Sequence, residues 1–143
     1  MGYYPIVTSG HPALRQTCED VDLTDPNIPA IAATLREAQV ESRGVGIAAN
    51  QIGMLLRMCY VGETLLINPK IMAMTVETET TKEGCLSLPG EQHEVERPLA
   101  VAIEALDLQG NVVQFEADGF EAKIVCHEIA HLNGELISDV GHK

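Results

Sequence analysis

The segment CHEIAHLNG, residues 126 to 134, places two histidines four positions apart, with a glutamate directly after the first. If residues 119 to 132 form a helix, His127 and His131 project from the same face one turn apart, where two imidazoles can bind one metal ion. Glu128 would then lie beside the ion without being a ligand, placed to take a proton from metal-bound water. The pattern favours a hydrolytic metal site over the alternative, a partly buried helix whose histidines make ordinary hydrogen bonds.

A catalytic metal usually has three protein ligands and one open position, so a third ligand is needed. The metzincin pattern would place a third histidine downstream, where this chain has Ile137. Glu135, Asp139 and His142 also follow, but each lies close to His131 or near the end of the chain. We therefore predict an upstream ligand, Cys85, in the tight loop suggested by EGCLSLPG. The other cysteines are predicted to be small core residues: Cys18, Cys59 and Cys126.

Residues 25 to 53 predict a helix followed by a turn. Asp25 and Pro26 in TDPN have the character of an N-cap and a first helical residue. Apolar residues then recur at helical spacing and stop at Arg43 and Gly44. The stretch GVGIAANQIG, residues 44 to 53, predicts a turn that enters a short strand.

The middle of the chain predicts mostly strands. LLRMCYV and TLLINP each have strand character, the second ending at Pro69, and residues 71 to 81 alternate as a half-exposed strand does. LAVAIEAL and VVQFEA flank DLQGN and predict a hairpin. Asp118 and Glu121 form a capping-box-like pair at the start of the last helix, which Asn133 and Gly134 should end. Strand runs bracketed by two helices indicate an α+β fold.

We expect the apolar side of that last helix to be buried against the strands. Phe120, Ile124 and Leu132 are spaced so that all three can share this side.

Length and charge limit the classes of partner. The chain has 143 residues, so we predict one domain over residues 1–143. A formal charge of −12, without a Lys/Arg cluster, makes nucleic acid and anionic membranes unsuitable partners.

The start, MGYYPIVTSG, lacks the basic and apolar regions of a secretory signal. Four scattered cysteines in such a chain favour reduced thiols in a cytoplasmic compartment.

Three separated segments together resemble one family. GVGIAANQ is similar to its GxGxAAxQ motif, EGCLS matches its EGCLS motif, and HEIAHLNG is similar to its HExxHxxG motif, in the same order and at similar spacing. By these motifs the chain resembles the peptide deformylases. The resemblance implies antiparallel β-sheets packed around a central metal-binding HExxH helix, with an N-terminal helix. It also implies removal of the formyl group from N-terminal formylmethionine, with release of formate.

The resemblance implies a role for particular residues. Metal-bound hydroxide would attack the formyl carbon, Glu128 would be the general acid/base, and Gln51 with the backbone N–H of Leu86 would meet the developing oxyanion. The metal ligands would be Cys85, His127 and His131. The residues expected to bind substrate are Gly44, Val45, Gly46, Glu83, Arg97, Phe120 and Ile124, of which Val45, Phe120 and Ile124 would line the methionine pocket.

The resemblance further implies one divalent metal per chain, Fe²⁺, which Zn²⁺ or Ni²⁺ can replace. Formylmethionyl nascent peptides would be the partners of a monomeric enzyme. The segment after Asp139 is short for a C-terminal helix of the kind associated with ribosome docking, so we expect no direct ribosome tether. Ala130 and Cys126 depart from the residues usual in the family, Asp and Gln. The missing carboxylate would loosen ligand orientation and deprive Arg97 of a partner.

Two other functions fit the same residues. A metallopeptidase or another amidase could use the same hydroxide chemistry on a different bond. A deformylase-like protein could also bind formylated peptides without turnover. The presence of both Glu128 and Gln51 argues against an inactive site.

Overall fold

The computed structural model of this protein describes residues 6–141. Both ends of the predicted domain 1–143 lie outside this range: MGYYP, the first half of the segment MGYYPIVTSG, and residues 142–143, which include the alternative ligand His142. The described chain contains these elements: α1 (Ile28–Ser42), β1 (Gly46–Ala48), β2 (Met58–Val61), β3 (Thr64–Met74), β4 (Thr78–Cys85), β5 (Leu88–Pro98), β6 (Ala100–Leu106), β7 (Val112–Asp118), α2 (Gly119–Leu132) and α3 (Ile137–Val140), with short 3₁₀ helices at Pro12–Arg15 and Ala49–Ile52.

The strands form two antiparallel sheets, which confirms the α+β prediction. Five strands lie in the order β1-β2-β3-β6-β7, and β4 pairs with β5 in a separate hairpin. The predicted hairpin around DLQGN is present as β6 and β7, with Leu106 opposite Val112. No helix within residues 6–141 combines the length and the apolar content needed to cross a bilayer.

The two long helices pack on opposite faces of the five-stranded sheet. Alternate residues of a strand point to opposite faces. On β1, Ile47 joins the core formed with α1, whereas Ala48 joins the core formed with α2. Burial of each large aliphatic side chain in these two cores contributes about 1.5–3 kcal/mol. The residues that α2 contributes are Ala122, Val125, Cys126, Ile129 and Leu132.

The first helix starts later than predicted. Asn27, not Asp25, is the N-cap residue, and a proline lies in the first turn at Pro29. The side chain of Asp25 instead accepts a hydrogen bond from the N–H of Asn27, at 2.9 Å. This turn delays the helix. The predicted end is confirmed, because Arg43 adopts the left-handed conformation (φ 58°) and caps the helix.

Several strand boundaries also differ from the prediction. Pro69 does not end β3, because irregular pairing between Ile67 and Lys70 accommodates the missing N–H. The strand predicted at residues 71 to 81 is divided between β3 and β4. Strand β5 was not predicted at all. Cys85 ends β4 at a pairing irregularity rather than lying in an isolated loop.

The last long helix has the predicted bounds but not the predicted cap. Asp118 occupies the N-cap position without a side-chain capping bond. Asn133 is the C-cap residue, as expected. Phe120 was predicted to be buried, yet it is 67% exposed, while Leu132 is fully buried. The difference arises because Phe120 lies in the first turn, where α2 borders a cavity rather than the sheet.

Candidate active site

The two helical histidines and Cys85 meet at one point. His127 and His131 lie one turn apart on α2, and their Nε2 atoms are 3.2 Å apart. The Sγ atom of Cys85, at the end of β4, lies 3.2 Å from Nε2 of His131. One ligand atom from each of the three residues lies within 4.8 Å of the other two.

This donor set fits a metal ion. Tetrahedral coordination with ordinary metal–nitrogen and metal–sulfur bonds separates ligand atoms by about 3.3–3.6 Å, close to the distances found. Burial, followed by the charges of His127 and Arg97, lowers the pKa of His131 to about 3, so its imidazole is neutral as a metal ligand requires. Its buried Nδ1 has no hydrogen-bond partner among the described residues. The nitrogen of His131 that lies beside Cys85 and His127 is Nε2.

His127 forms an ion pair with Glu83 through Nδ1. Oε1 of Glu83 lies 3.0 Å from Nδ1 of His127. Burial lowers the pKa of His127, but hydrogen bonds with Cys85 and Glu83 outweigh burial and raise it to about 10. A metal binding to Nε2 must therefore displace a proton.

Arg97 does not line the cavity, in contrast to its expected contact with substrate. It is buried, and its guanidinium donates to both oxygens of Glu83 at 2.9 and 3.0 Å. Arg97 therefore retains a bidentate carboxylate partner although position 130 is Ala. Glu83 reaches the cavity wall, but its carboxylate is engaged by His127 and Arg97.

Glu128 is a buried carboxyl group beside the ligand cluster. It is 4% exposed, and its Oε1 has no hydrogen-bond partner among the described residues. Burial raises the pKa of Glu128 to about 7, although the charges of His127 and Arg97 act in the opposite direction. A carboxyl group that titrates near neutrality suits proton transfer in either direction.

Gln51 approaches the cluster from the 3₁₀ helix at Ala49–Ile52. Its Oε1 accepts from the N–H of Ala48 at 3.0 Å, which orients the amide. Its Nε2 then donates to Oγ of Ser87 at 3.2 Å and lies 3.9 Å from Sγ of Cys85. Ser87 is fully buried and was not singled out from the sequence, although it is the last letter of EGCLS. Leu86 lines the cavity next to Cys85.

A cavity of about 910 Å³ opens over these groups. Val45 and Phe120 on its wall are more than half exposed, and Ile124 is partly buried between them and the core. The sequence did not identify the part of the wall that β4 and β5 supply, because it did not predict their hairpin. The lining residues missed were Arg43, Thr81, Lys82, Gly84, Leu88, Pro89, Gly90, Glu91, Gln92 and Lys123.

Two glycines allow the backbone to approach the cluster closely. A Cβ atom added to Gly46 would lie 2.6 Å from Oε2 of Glu128 and 2.9 Å from Cγ2 of Ile124. A Cβ atom added to Gly44 would lie 2.8 Å from Cδ1 of Leu86. Both contacts are too short for any side chain without displacement of its neighbour.

The edge of β1 that does not pair with β2 presents backbone N–H and C=O groups towards the cavity. The carbonyl of Val45 accepts from the N–H of Gly62 at 2.8 Å, so Val45 directs its backbone groups towards β2. The N–H of Ala48 points the other way, to Gln51. Because backbone groups alternate between the two edges of a strand, the N–H and C=O of Gly46 lie on the same edge as those of Ala48. Strand β1 is an edge strand of the five-stranded sheet.

Comparison with known proteins agrees with this geometry. The family profile described as polypeptide deformylase matches residues 3–143. The chain belongs to this family. Peptide deformylase from Alkaliphilus metalliredigens is 41% identical over 138 residues, covering 94% of this chain and 93% of the relative. Family members are metal-dependent hydrolases, and this enzyme removes the N-formyl group from nascent polypeptides.

Solved structures of deformylases share the fold. The crystal structure of peptide deformylase from Thermotoga maritima superimposes with a TM-score of 0.93 at 34% identity, covering 98% of each chain. The Met-Ala-Ser-bound class I type b enzyme from Acinetobacter baumannii gives a TM-score of 0.91 at 31% identity, covering 97% of this chain and 98% of that one. These similarities confirm the predicted deformylase fold.

Proposed function

We propose that Cys85, His127 and His131 hold one divalent metal ion and that Glu128 is the general acid/base of deformylation. The observation that carries the proposal is the convergence of three ligand atoms within 4.8 Å, from α2 and from the distant end of β4. The buried carboxyl group of Glu128 borders the same cavity. Ligands and proton carrier are thus supplied by one chain, and we propose that the enzyme acts as a monomer.

The proposed ion is Fe²⁺, with Zn²⁺ or Ni²⁺ able to replace it. One thiolate and two imidazoles are compatible with all three ions. When bound, the ion would supply the Lewis-acid chemistry that activates water at neutral pH. Glu83 supports this arrangement, because the hydrogen bond that its carboxylate accepts from Nδ1 of His127 leaves Nε2 as the coordinating atom.

Substrate would bind as an extra strand on the outer edge of β1. The N–H and C=O of Gly46 offer an extended peptide the hydrogen bonds of an antiparallel or parallel ladder. The methionine side chain would lie against Val45, Phe120 and Ile124, where an unbranched thioether gains from burial. The narrow space between Gly46 and Glu128 favours formyl over bulkier acyl groups.

Gln51, Leu86 and Glu128 each have an assigned role in the reaction. The Nε2 donor of Gln51 and the N–H of Leu86 would hydrogen-bond the formyl oxygen as negative charge develops on it. The carboxylate of Glu128 would accept a proton from the attacking water. It would then pass this proton to the departing amine, which is a poor leaving group when unprotonated.

We also propose where the enzyme meets its substrate. All four cysteines are free thiols, which suits a bacterial-type cytosol or an equivalent reducing compartment. A net charge of −12 opposes contact with ribosomal RNA, so we propose that nascent peptides are reached without a direct ribosome tether.

A formate-release assay with formyl-Met-Ala-Ser tests the proposal. The product, Met-Ala-Ser, is the peptide bound by the relative from Acinetobacter baumannii. Protein loaded with a single defined metal should release one formate per peptide and leave the internal peptide bonds intact. Cleavage between residues would indicate a metallopeptidase, and binding without formate release would indicate an inactive homologue.

A further inference from the structure

Gln39 is a buried polar residue whose side chain the reaction does not use. It lies near the C-terminus of α1 and is 1% exposed. Its Nε2 donates to the carbonyl of Gly62 at 2.9 Å and to the carbonyl of Gly44 at 3.3 Å. Its Oε1 accepts from Nη1 of Arg36 at 2.7 Å. Since Arg36 can only donate, this contact identifies the oxygen end of the amide.

The two carbonyls bound by Gln39 flank strands β1 and β2, and the one from Gly44 belongs to the cavity wall. Gly44 lies two residues before β1, and Gly62 directly follows β2. The backbone completes the link, because the N–H of Gly44 donates to the carbonyl of Gln39 at 3.0 Å and the N–H of Gly62 donates to Val45. One amide side chain therefore connects the helix to both strands where β1 begins.

Apart from backbone hydrogen bonds and the pairing of Gly46 with Val61, residues 44 to 46 have few side-chain contacts to hold them. Gly44 and Gly46 have no side chains, and the side chain of Val45 is largely exposed. Glycine-rich backbone has the greatest conformational freedom, so a free segment would lose the most entropy on pairing with a peptide. Its position also matters for the reaction, because Gly44 borders Leu86 and Gly46 borders Glu128.

We propose that Gln39 is a positioning residue that holds residues 44 to 46 in the conformation that pairs with substrate. This inference rests on the proposed binding of peptide to the edge of β1. Gln39 does not line the cavity and acts only through the backbone of Gly44 and Gly62. Arg36 supports it by fixing the orientation of the amide and through a longer contact of its own Nη1 with the carbonyl of Gly62, at 3.5 Å. Arg36 itself lies over the ring of Tyr60, 5.9 Å from the ring centre, and 3.6 Å from Glu63.

The test replaces Gln39 with methionine, which has a similar shape but cannot donate to either carbonyl. KM for formyl-Met-Ala-Ser should rise about five- to tenfold, with kcat within about twofold. The reason is that part of the binding free energy must then be used to order residues 44 to 46. Formyl-methionine, which lacks the following residues, should be affected less. The matched control is Ser42→Ala, which removes bonds to the carbonyls of Ala38 and Gln39 in the same helix end but none to the strands. It should leave KM unchanged.

A second measurement does not depend on activity. In metal-loaded Gln39→Met, the amide hydrogens of Gly44 and Gly62 should exchange about five- to tenfold faster, while that of Ile103 in β6 keeps its rate. If the wild-type chain released no formate, the proposed function would fail, and the exchange experiment would still decide the role of Gln39. If Gln39→Met does not fold, Arg36→Met should show the same changes at about half the size. Unchanged exchange, or equal losses with both substrates through kcat alone, would overturn the proposal.

Discussion

Oε1 of Glu83 lies 3.0 Å from Nδ1 of His127, on the side of the imidazole opposite the ligand cluster. Arg97 holds the same carboxylate through two hydrogen bonds. Burial acts to raise the pKa of Glu83, but the bonds from His127 and Arg97 lower it to about 2. Glu83 therefore remains ionised at neutral pH and can orient His127 towards a metal.

Replacing Glu83 should weaken metal binding more than it alters the fold. Glu83→Gln loses the charge that fixes His127, and we expect affinity for Zn²⁺ to fall about 10- to 100-fold. Competition with a chelator measures the change. Glu94→Gln, on the exposed side of the neighbouring strand, is the control and should bind as the wild type does. Equal affinities for the two variants would contradict the supporting role of Glu83.

The two cysteines near α2 should differ in their effect on metal content. Cys85→Ser replaces the thiolate with a weak ligand, so the bound metal per chain after dialysis should fall at least about tenfold. Cys126→Ala should retain one ion, since Cys126 is a buried thiol whose pKa burial raises. Metal analysis of both variants checks this, and retention of the ion by Cys85→Ser would refute the assigned ligand set.

Loss of the Glu128 carboxylate should slow turnover strongly and leave metal binding intact. We expect kcat of Glu128→Gln to fall at least about 10²-fold with one ion still bound. In the wild type the carboxylate is the active form and burial raises its pKa to about 7, so kcat/KM should fall as the pH drops below the midpoint. The charge of a bound cation moves this midpoint lower. A midpoint well above neutrality would be inconsistent with Glu128 as the base.

A methyl group at position 46 should disturb the proton carrier directly. Gly46→Ala introduces an atom 2.6 Å from Oε2 of Glu128, so the carboxylate or the strand must move. We expect kcat/KM to fall about 10- to 100-fold, as small misplacements of catalytic groups do. Gly84→Ala is the control on the same cavity wall, because its added atom has no neighbour closer than 3.8 Å. Similar losses in both variants would argue against the specific contact.

Asp139 should stabilise the C-terminal segment in a pH-dependent way. Burial acts to raise its pKa, but hydrogen bonds from the N–H of Leu136 and from Arg15 lower it overall. Because the folded pKa is depressed, the stabilisation is present above the unfolded value of about 4 and is lost as pH falls through the folded pKa. Asp139→Asn should lower Tm at neutral pH by about 1–3 °C, mainly through the weakened cap.

Thermal melts over a range of pH values check this prediction. The difference between Asp139→Asn and the wild type should shrink below about pH 4. Asp118→Asn is the control, because the side chain of Asp118 makes no capping bond. A difference in Tm that is independent of pH would show that the charge of Asp139 is not responsible.

Local patterns predicted those parts of the fold that depend on near neighbours. The bounds of α2 follow from the periodic apolar residues between Asp118 and Asn133, and the β6–β7 hairpin follows from DLQGN. The start of α1 was missed because the side chain of Asp25 forms a turn with Asn27 instead of capping a helix. Strand β5 was missed because its pattern is mixed, and pairing with β4 over its whole length stabilises it.

The sequence by itself indicated the side chains to which we assign the chemistry: His127 and His131 at one-turn spacing, Glu128 beside them, and the motif residues Cys85 and Gln51. Only the tertiary structure decided that Arg97 donates to both oxygens of Glu83 and that Phe120 borders a cavity. It also decided that the side chain of Gln39 reaches the carbonyls of Gly44 and Gly62. The physical reason is the separation in sequence between the residues that interact. Helical spacing and motifs are properties of adjacent residues, whereas a hydrogen bond between Gln39 and Gly62 exists only after the sheet has brought both segments together.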